Sequence, residues 1–240
     1  MIKTVIKGEL RNIARDKMYL FLAIYPFIFG YVGYLLVNYV DAHVAPTSLA
    51  PEIIVMFLIL MTSYMFGAIM GFTLLDDKDD KVLIALKVTP ISVKYYVSIK
   101  VVLSFVFALL ATIIFIIFTD FLPTASLWQI ILITIASAMQ APGVTLIVNA
   151  FARNKVEGFV IMKISGMILI LPMVAFYVLN WQEVFLGIAP GFYSARMIQM
   201  ILLPNLEYNF TFVIYFIIGM LYNIVLLYLL SKLYFKKANI

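Results

Sequence analysis

Residue types that bind metals or carry out acid–base chemistry are scarce in this sequence. Its single histidine, His43, has only Asp41 and Glu52 near it along the chain. An imidazole and two carboxylates can in principle hold zinc, but the H-E-x-x-H spacing that places two histidines on one helix face is absent. The sequence has no cysteine, which excludes disulfides and thiolate chemistry. We therefore predict that the chain is not an enzyme and carries no catalytic, metal or cofactor site.

Polar residues inside long apolar stretches form a second group of candidates. Gln140 and Asn149 lie in one such stretch, and Asn223 lies in another. We predict that they line a polar pathway, although hydrogen bonding between helices is the commoner use of such residues.

Glycines and prolines in the apolar stretches indicate how the helices pack. Gly67 and Gly71 have the G-x-x-x-G spacing that lets two helices approach closely, either within one subunit or across a dimer. Pro26, Pro142 and Pro172 each lie inside a stretch, and each is expected to kink its helix.

The elements that must position these residues are apolar helices. Hydrophobic residues make up 65% of the chain, charged residues make up 12%, and the mean hydropathy is +1.09. A soluble domain is nearer half apolar and a quarter charged. A bilayer core about 30 Å thick is crossed by roughly 20 apolar residues in a helix. We predict an all-α integral membrane protein, a single domain over residues 1–240, with six spans at 18–40, 53–75, 101–119, 127–151, 158–180 and 210–231.

The lysines and arginines orient these spans. If the N-terminus lies inside, all of the 17 basic residues except Arg196 fall on inner segments, as the positive-inside rule requires. These charges therefore govern topology, and we expect no nucleic-acid partner. The predicted protein is multi-pass, with both termini in the cytosol.

The chain begins with an amphipathic segment, residues 1–17. Apolar residues such as Leu10 and Ile13 recur at helical spacing on one face, and a basic residue recurs every four positions from Lys3 to Arg15 on another. Such a helix lies in the membrane interface, with its cations at anionic headgroups. Its role is either that of a simple anchor or that of a docking element.

The longest inner connection, residues 76–100, combines an acidic cluster with a short apolar helix. We expect Asp79 or Asp80 to cap this helix, and Leu83 and Leu86 to give it an apolar side that contacts a partner. Held between two spans, the helix could transmit a partner's movement to the membrane part. The alternative is a charged, solvated turn that only connects the spans.

Thr89 and Pro90 are expected to end this short helix and to start the next one. A proline disfavours the α conformation in the residue before it. Threonine as N-cap followed by proline in the first turn also suits the start of a helix.

The outer segment, residues 181–209, is too long for a turn. Residues 192–203 are helix-forming, so we expect a short helix there, or a helical pair with the residues after Glu183. Arg196 is predicted to belong to an outer gate, held by headgroups or by a carboxylate such as Glu183 or Glu207. The segment either dips into the membrane under a cover of protein, as re-entrant backbone must, or lies at the surface.

This organisation resembles the permease subunit of ABC type-2 transporters along the whole chain. In the loop between the second and third spans, that family commonly shows an acidic cluster, a short Leu-rich helix, Thr-Pro, and a helix that ends in Lys. The chain departs from the pattern in having aspartates where glutamate is usual and Lys81 where a glycine often stands. The matching residues, in order, are Asp76, Asp77, Asp79, Asp80, Leu83, Leu86, Thr89, Pro90 and Lys100.

The resemblance implies an exporter that works by alternating access on an amphipathic peptide, drug or lipid-like substrate. It further implies a separate ABC ATPase and a second permease copy, forming a homodimer in a bacterial cytoplasmic membrane. The sequence has no G-x-x-x-x-G-K-[ST] pattern for a P-loop, so ATP and Mg are expected on the partner ATPase. The residues expected to couple to this ATPase are Asp79, Asp80, Leu83, Leu86, Thr89 and Pro90.

Two other classes of function stay open. A secondary transporter or channel would work without an ATPase, but it would require an ionisable group within a span or an internal repeat, and the sequence shows neither. A membrane enzyme would require clustered nucleophiles, bases or metal ligands in the spans, which are also missing.

Overall fold

Helices make up all the regular structure in the described part of the chain, residues 2–45, 47–88 and 92–238 of the computed structural model. Short 3-10 turns follow α4, α8 and α9, at Leu86–Val88, Met167–Leu169 and Ala175–Tyr177. The helices are α1 (Ile2–Arg15), α2 (Lys17–His43), α3 (Ala50–Asp79), α4 (Val82–Ala85), α5 (Val93–Thr119), α6 (Leu127–Ala138), α7 (Gln140–Phe151), α8 (Lys155–Gly166), α9 (Ile170–Val174), α10 (Glu183–Leu186), α11 (Phe192–Leu202) and α12 (Phe212–Lys237).

Six helical units in the described residues are long and apolar enough to cross a bilayer: α2, α3, α5, α6 with α7, α8 with α9, and α12. This confirms the predicted all-α, six-span fold. The third span begins at Val93 rather than at 101, because the Ser92 hydroxyl caps α5 by accepting a hydrogen bond from the Tyr95 N–H at 3.2 Å. Lys94 and Lys100 interrupt the apolar pattern over these first two turns, so hydropathy alone did not reveal them.

Helix α3 is the centre of the bundle and packs against α2, α5 and α7. A Cβ atom on Gly67 would lie 2.6 Å from the carbonyl oxygen of Ala141 in α7, so only glycine fits this contact. Thr145 and Asn149 of α7 donate hydrogen bonds to the carbonyls of Gly67 and Gly71, each at 2.9 Å. The G-x-x-x-G motif therefore packs within the subunit.

Two of the three span prolines lie beside a break in helical structure. Proline has no N–H to donate to the carbonyl four residues earlier. The break at Met139 lies close to Pro142, and the 3-10 turn at Met167–Leu169 lies close to Pro172. Pro26 lies inside the uninterrupted helix α2.

The helix ends gather into two groups. At one end, Lys155 pairs with Asp76 at 2.8 Å, and Lys237 Nζ lies 3.8 Å from the centroid of the Phe151 ring. We call this the basic end, because three segments rich in lysine or arginine lie there: α1, the loop after α3 and the last turn of α12. At the opposite end, the Asn209 side chain donates to the Leu179 carbonyl at 3.0 Å.

Candidate functional site

The loop after α3 differs from the predicted capping pattern. Helix α3 continues through Asp79, and Asp80 ends it by donating its N–H to the carbonyl of Asp76 at 2.8 Å. The expectation that Asp79 or Asp80 caps the short helix is therefore wrong. Nothing in the acidic run breaks a helix, so the preceding span extends through it.

Lys81 makes the turn between α3 and α4. It has a φ of 59°, in the left-handed region that favours glycine and that disfavours other residues by roughly 1–2 kcal/mol. The resemblance had marked this position as one where a glycine often stands, and the backbone geometry gives the reason.

The short helix α4 and the 3-10 turn that follows it direct Leu83 and Leu86 toward the spans. Leu83 is 8% exposed and packs in a cluster with Val97 and Tyr234, and the half-buried Leu86 packs against the same cluster. Ile84 and Val88, by contrast, are 62% and 90% exposed. The predicted pair Leu83 and Leu86 therefore braces the loop against the bundle, and the outward apolar residues are different ones. Two further predicted coupling residues, Thr89 and Pro90, lie outside the described residues. The prediction that Thr89 caps the next helix is wrong, because α5 begins at Val93 and Ser92 is its N-cap.

Asp77 at the end of α3 is joined to α5 by a buried ion pair. The Lys100 ammonium, with a fully buried side chain, pairs with the Asp77 carboxylate and donates to the Thr73 carbonyl at 3.1 Å. The Tyr96 hydroxyl donates to the same carboxylate at 2.8 Å. The ion pair and the hydrogen bonds offset the desolvation penalty of burying the lysine.

Asp76, the neighbouring residue, joins α3 to the first and fifth spans. It accepts a hydrogen bond from the Tyr19 hydroxyl of α2 and pairs with Lys155 of α8 at 2.8 Å. Lys155 also lies 3.7 Å from Asp16, which caps α2. About a third of the Lys155 and Asp76 side chains is exposed, and an open cavity of about 510 Å³ adjoins them and Asp80.

We call these residues the loop cluster: Asp16, Tyr19, Asp76, Asp77, Tyr96, Lys100 and Lys155. Sequence reasoning missed the cluster as a site, since it treated the aspartates as part of a loop motif and the lysines as topology signals. Two tyrosines near the ends of spans beside an acidic run were the available signal.

Arg196 lies at the opposite end of the bundle, on α11, and is completely buried. Its guanidinium pairs with Glu183 at 2.5 Å and donates to the carbonyls of Ala175 and Val178 at 3.0 and 2.7 Å. These carbonyls end the fifth span, where a helix has unsatisfied acceptors and a partial negative charge. Of the partners anticipated for Arg196, the structure selects Glu183 rather than Glu207 or headgroups.

Further hydrogen bonds complete this network. The second oxygen of Glu183 accepts from Asn209 at 2.9 Å and from Tyr215 at 2.7 Å. Gln199 accepts from Arg196 and donates to the Phe176 carbonyl at 3.2 Å.

Tyr208 borders the same network, where its hydroxyl donates to the carbonyls of Gln199 and Leu203 at 3.1 and 2.8 Å. Burial raises the pKa of Tyr208 to about 12, although the nearby positive charge of Arg196 acts in the other direction. We call this group the arginine cluster: Glu183, Arg196, Gln199, Tyr208, Asn209 and Tyr215.

The outer segment is covered by protein. Helix α11 packs against α3, α6 and α12, and the helical pair α10 and α11 agrees with the prediction of two short helices. The buried position of Arg196 favours a segment that is folded into the bundle over one that lies on its surface.

The three polar residues predicted to line a pathway make separate contacts. Gln140 donates to the Ser137 carbonyl at 3.2 Å and borders a small cavity, about 30 Å³, with Tyr64 and Gly191. Asn149 bonds the Gly71 carbonyl of the neighbouring helix. Asn223 donates to Gly219 of its own helix at 2.8 Å. Of the three, Gln140 alone borders this cavity; Asn149 and Asn223 stabilise helices.

The fold defines a multi-pass membrane protein. The family described as "Fluoroquinolones export permease protein Rv2686c-like" matches residues 9–231, nearly the whole chain. The chain therefore belongs to this family, and its resemblance to ABC type-2 permeases is confirmed.

Two curated relatives come from Mycobacterium tuberculosis. They are the fluoroquinolones export permease protein MT2760 of strain CDC 1551 / Oshkosh and the protein of the same description, Rv2686c, of strain ATCC 25618 / H37Rv. Each is 26% identical to this chain over 148 residues, which is 61% of this chain and 58% of the relative. The match thus spans less than two thirds of the relatives' length.

Proposed function

We propose that this chain is the transmembrane permease subunit of an ATP-driven exporter. The family match supports a permease for export. The substrate class is an amphipathic drug, peptide or lipid-like molecule, and the names of the relatives make a fluoroquinolone the first compound to test. The partners are a separate ABC ATPase, which holds ATP and Mg, and a second copy of the permease. Transport proceeds by alternating access.

The observation that carries this proposal is the construction of the loop between α3 and α5. Its short helix α4 is held against the spans by Leu83, and the Asp77–Lys100 pair joins the two spans on either side of the loop. Ile84 of α4 and Val88 of the following 3-10 turn are exposed. A braced helix with an exposed apolar edge suits contact with a second protein, because movement of that protein is then transmitted to two spans.

The arginine cluster supports the assignment of the segment 181–209 as the outer gate. Its ion pair holds α10, α11 and the end of the fifth span as one unit. The small cavity beside Gln140 lies directly against Gly191, at the start of α11. In this proposal the outer segment covers the top of the pathway, and Gln140 is the first polar side chain beneath it.

The decisive experiment is co-purification of the permease with its proposed ABC ATPase partner, using the double variant Ile84→Asp and Val88→Asp. Each apolar contact is worth about 1.5–3 kcal/mol when buried, and burying an unpaired carboxylate adds a penalty. We expect at least about a 100-fold weaker association, which corresponds to roughly 2.7 kcal/mol. ATPase stimulation should be lost to the same extent, while the amount in the membrane stays normal.

The matched control is Val156→Asp, which alters another exposed apolar residue at the basic end but lies outside the loop. It should leave the association unchanged. If the double variant retains a full complement of active ATPase, the coupling contact lies elsewhere. If the wild-type chain exports a fluoroquinolone without any ATPase, the secondary-transporter alternative gains support.

A further inference from the structure

The small cavity beside Gln140 lies among the second, fourth and fifth spans. Tyr64 of α3, Gln140 of α7 and Ser165 of α8 contribute its polar groups, and Gly191, just before α11, borders it. Tyr64 lies fourteen residues beyond Ala50, the first residue of the 30-residue helix α3, so the cavity is near the middle of this span. Its volume of about 30 Å³ has room for about one or two water molecules and is far too small for a drug-sized ligand.

The amide oxygen of Gln140 has no protein donor. The side chain is buried, and its Nε2 donates to the Ser137 carbonyl at 3.2 Å. Because a carbonyl can only accept, this bond fixes which end of the amide faces the backbone. Oε1 lies on the side of Gly191, where an added Cβ would be 2.9 Å from it. Within the described part of the chain, no N–H or O–H donates to this oxygen, and a buried acceptor without a donor is costly.

The hydroxyls of Tyr64 and Ser165 also present acceptors. The Tyr64 hydroxyl donates to the Met162 carbonyl and lies 2.7 Å from the Ser165 hydroxyl. Ser165 Oγ in turn lies 3.1 Å from the same carbonyl. Each hydroxyl has one proton and two lone pairs, and both protons are used within this group. The cavity therefore has acceptors from α7 and acceptors from α3 and α8, so it calls for a ligand that donates to both.

Breaks in two spans adjoin the cavity. Gln140 directly follows the break at Met139, and Ile168, which lines the cavity, belongs to the 3-10 turn of the fifth span. Pro142 and Pro172, which lie close to these breaks, lack the N–H that would continue the helical pattern. Broken helices in membranes are stabilised by neighbouring helices, by hydroxyl side chains and by ordered water.

We propose that the cavity binds an ordered water molecule that joins the fourth span to the second and fifth. One O–H of the water donates to Gln140 Oε1, and the other donates to the hydroxyl oxygen of Ser165 or Tyr64. Water suits the site because it is small enough to enter and can donate two hydrogen bonds. A hydrocarbon chain would leave the Gln140 oxygen unpaired. This link is a property of the single chain and requires no second protein.

A crystal structure of the wild-type chain, at a resolution that shows ordered water, tests the site directly. We expect a spherical density peak within about 2.5–3.0 Å of Gln140 Oε1 and of the hydroxyl oxygen of Ser165 or Tyr64. In Gln140→Met the peak should be lost. A wild-type cavity without this peak would overturn the proposal, and so would an elongated density, which would assign the cavity to a lipid or another organic molecule.

Denaturant unfolding tests the link without crystals, using wild type, Gln140→Met, Ser165→Ala and the double variant. Side chains that share a network are coupled, whereas independent ones are nearly additive. Gln140 and Ser165 make no direct hydrogen bond with each other. If a water joins them, the second substitution has less to remove. The unfolding equilibrium of the double variant should then be about fivefold more favourable to the folded state than the product of the single effects.

The matched control combines Gln140→Met with Thr62→Val. Thr62 is an equally buried hydroxyl of α3 that donates to the Leu58 carbonyl of its own helix and lies outside the cavity lining. This pair should be additive within about twofold. Coupling between Gln140 and Ser165 no larger than in the control would contradict the water link. If a variant does not fold, the density in the wild-type cavity decides the question.

Discussion

The arginine cluster and the loop cluster both join charged side chains from several helices, but water reaches only one of them. Arg196 and Glu183 are 0% and 2% exposed. Lys155 and Asp76 retain about a third of their side-chain exposure beside an open cavity. The bundle thus has a dry ionic network at one end and a partly wet one at the other.

Because of this difference in exposure, the two clusters should differ in how much free energy is needed to break their ion pairs. Breaking a buried ion pair leaves a charge without compensation and costs several kcal/mol, so the arginine cluster acts as a fixed brace on the outer segment. An ion pair that water can replace is worth about 1 kcal/mol or less. The Lys155–Asp76 contact can therefore open and close at a much smaller cost than the Arg196–Glu183 pair.

The largest loss of stability is expected from substitutions in the arginine cluster. Arg196→Ala leaves the Glu183 carboxylate buried without its partner, so the free energy of unfolding should fall by about 3–5 kcal/mol. Denaturant unfolding of the detergent-solubilised protein measures this. The double variant Arg196→Met with Glu183→Gln removes both charges and should recover a large part of the loss. A single variant as stable as wild type would contradict the idea of a dry brace.

A second variant tests whether part of the loop cluster is also shielded from water. Lys100 is fully buried although it lies at the basic end. Lys100→Met should lower the free energy of unfolding by about 2–3 kcal/mol, because hydrogen bonds to charged groups are worth about that much. Exposed Lys94 on the same helix is the control, and Lys94→Met should change stability by less than about 0.5 kcal/mol. Equal small effects would place the whole loop cluster in water.

The stability that the partly exposed Lys155–Asp76 pair contributes should be small and should depend strongly on salt. Lys155→Gln should lower the free energy of unfolding by about 1 kcal/mol or less. The difference from wild type should shrink as salt screens the partly exposed pair. Unfolding curves at low and high ionic strength provide the measurement. A loss of about 3 kcal/mol that is independent of salt would erase the contrast between the two clusters.

The smallest effect is a shift with pH at the edge of the arginine cluster. An unfolded tyrosine ionises near pH 10, whereas the folded pKa of Tyr208 is about 12. The folded state holds this proton longer, so the stability due to Tyr208 is complete below pH 10 and is lost as the pH rises through about 12. The tyrosinate absorbance of wild type minus that of Tyr208→Phe should titrate near pH 12. A midpoint near pH 10 would mean that water enters the cluster.

The two clusters also show where sequence reasoning succeeded and where it stopped. It identified Arg196 as the odd cation of the outer segment, because one arginine apart from sixteen basic residues is visible in the sequence. It offered Glu183 and Glu207 as partners and could not choose between them. The choice depends on how α10 turns its first residue toward α11, which no local pattern encodes.

The short helix α4 gives the same lesson at the basic end. The sequence predicted a short helix with an apolar side formed by Leu83 and Leu86, and the structure has that helix. Which side faces the bundle depends on the left-handed turn at Lys81, which sets the rotation of α4 after α3. With this rotation, Ile84 of α4 and Val88 of the following 3-10 turn are the exposed apolar residues.

The sequence by itself determined the six apolar spans, the short helices of the outer segment and the segregation of basic residues. These properties are sums over neighbouring residues, since hydropathy and charge act over one span at a time. The tertiary structure alone decided that Asp77 pairs with Lys100, that Asp76 pairs with Lys155, and that Gln140 borders a small cavity with Tyr64 and Ser165. Such contacts join residues far apart in the chain, and they depend on the rotation and tilt of packed helices, which are fixed only when all the helices pack together.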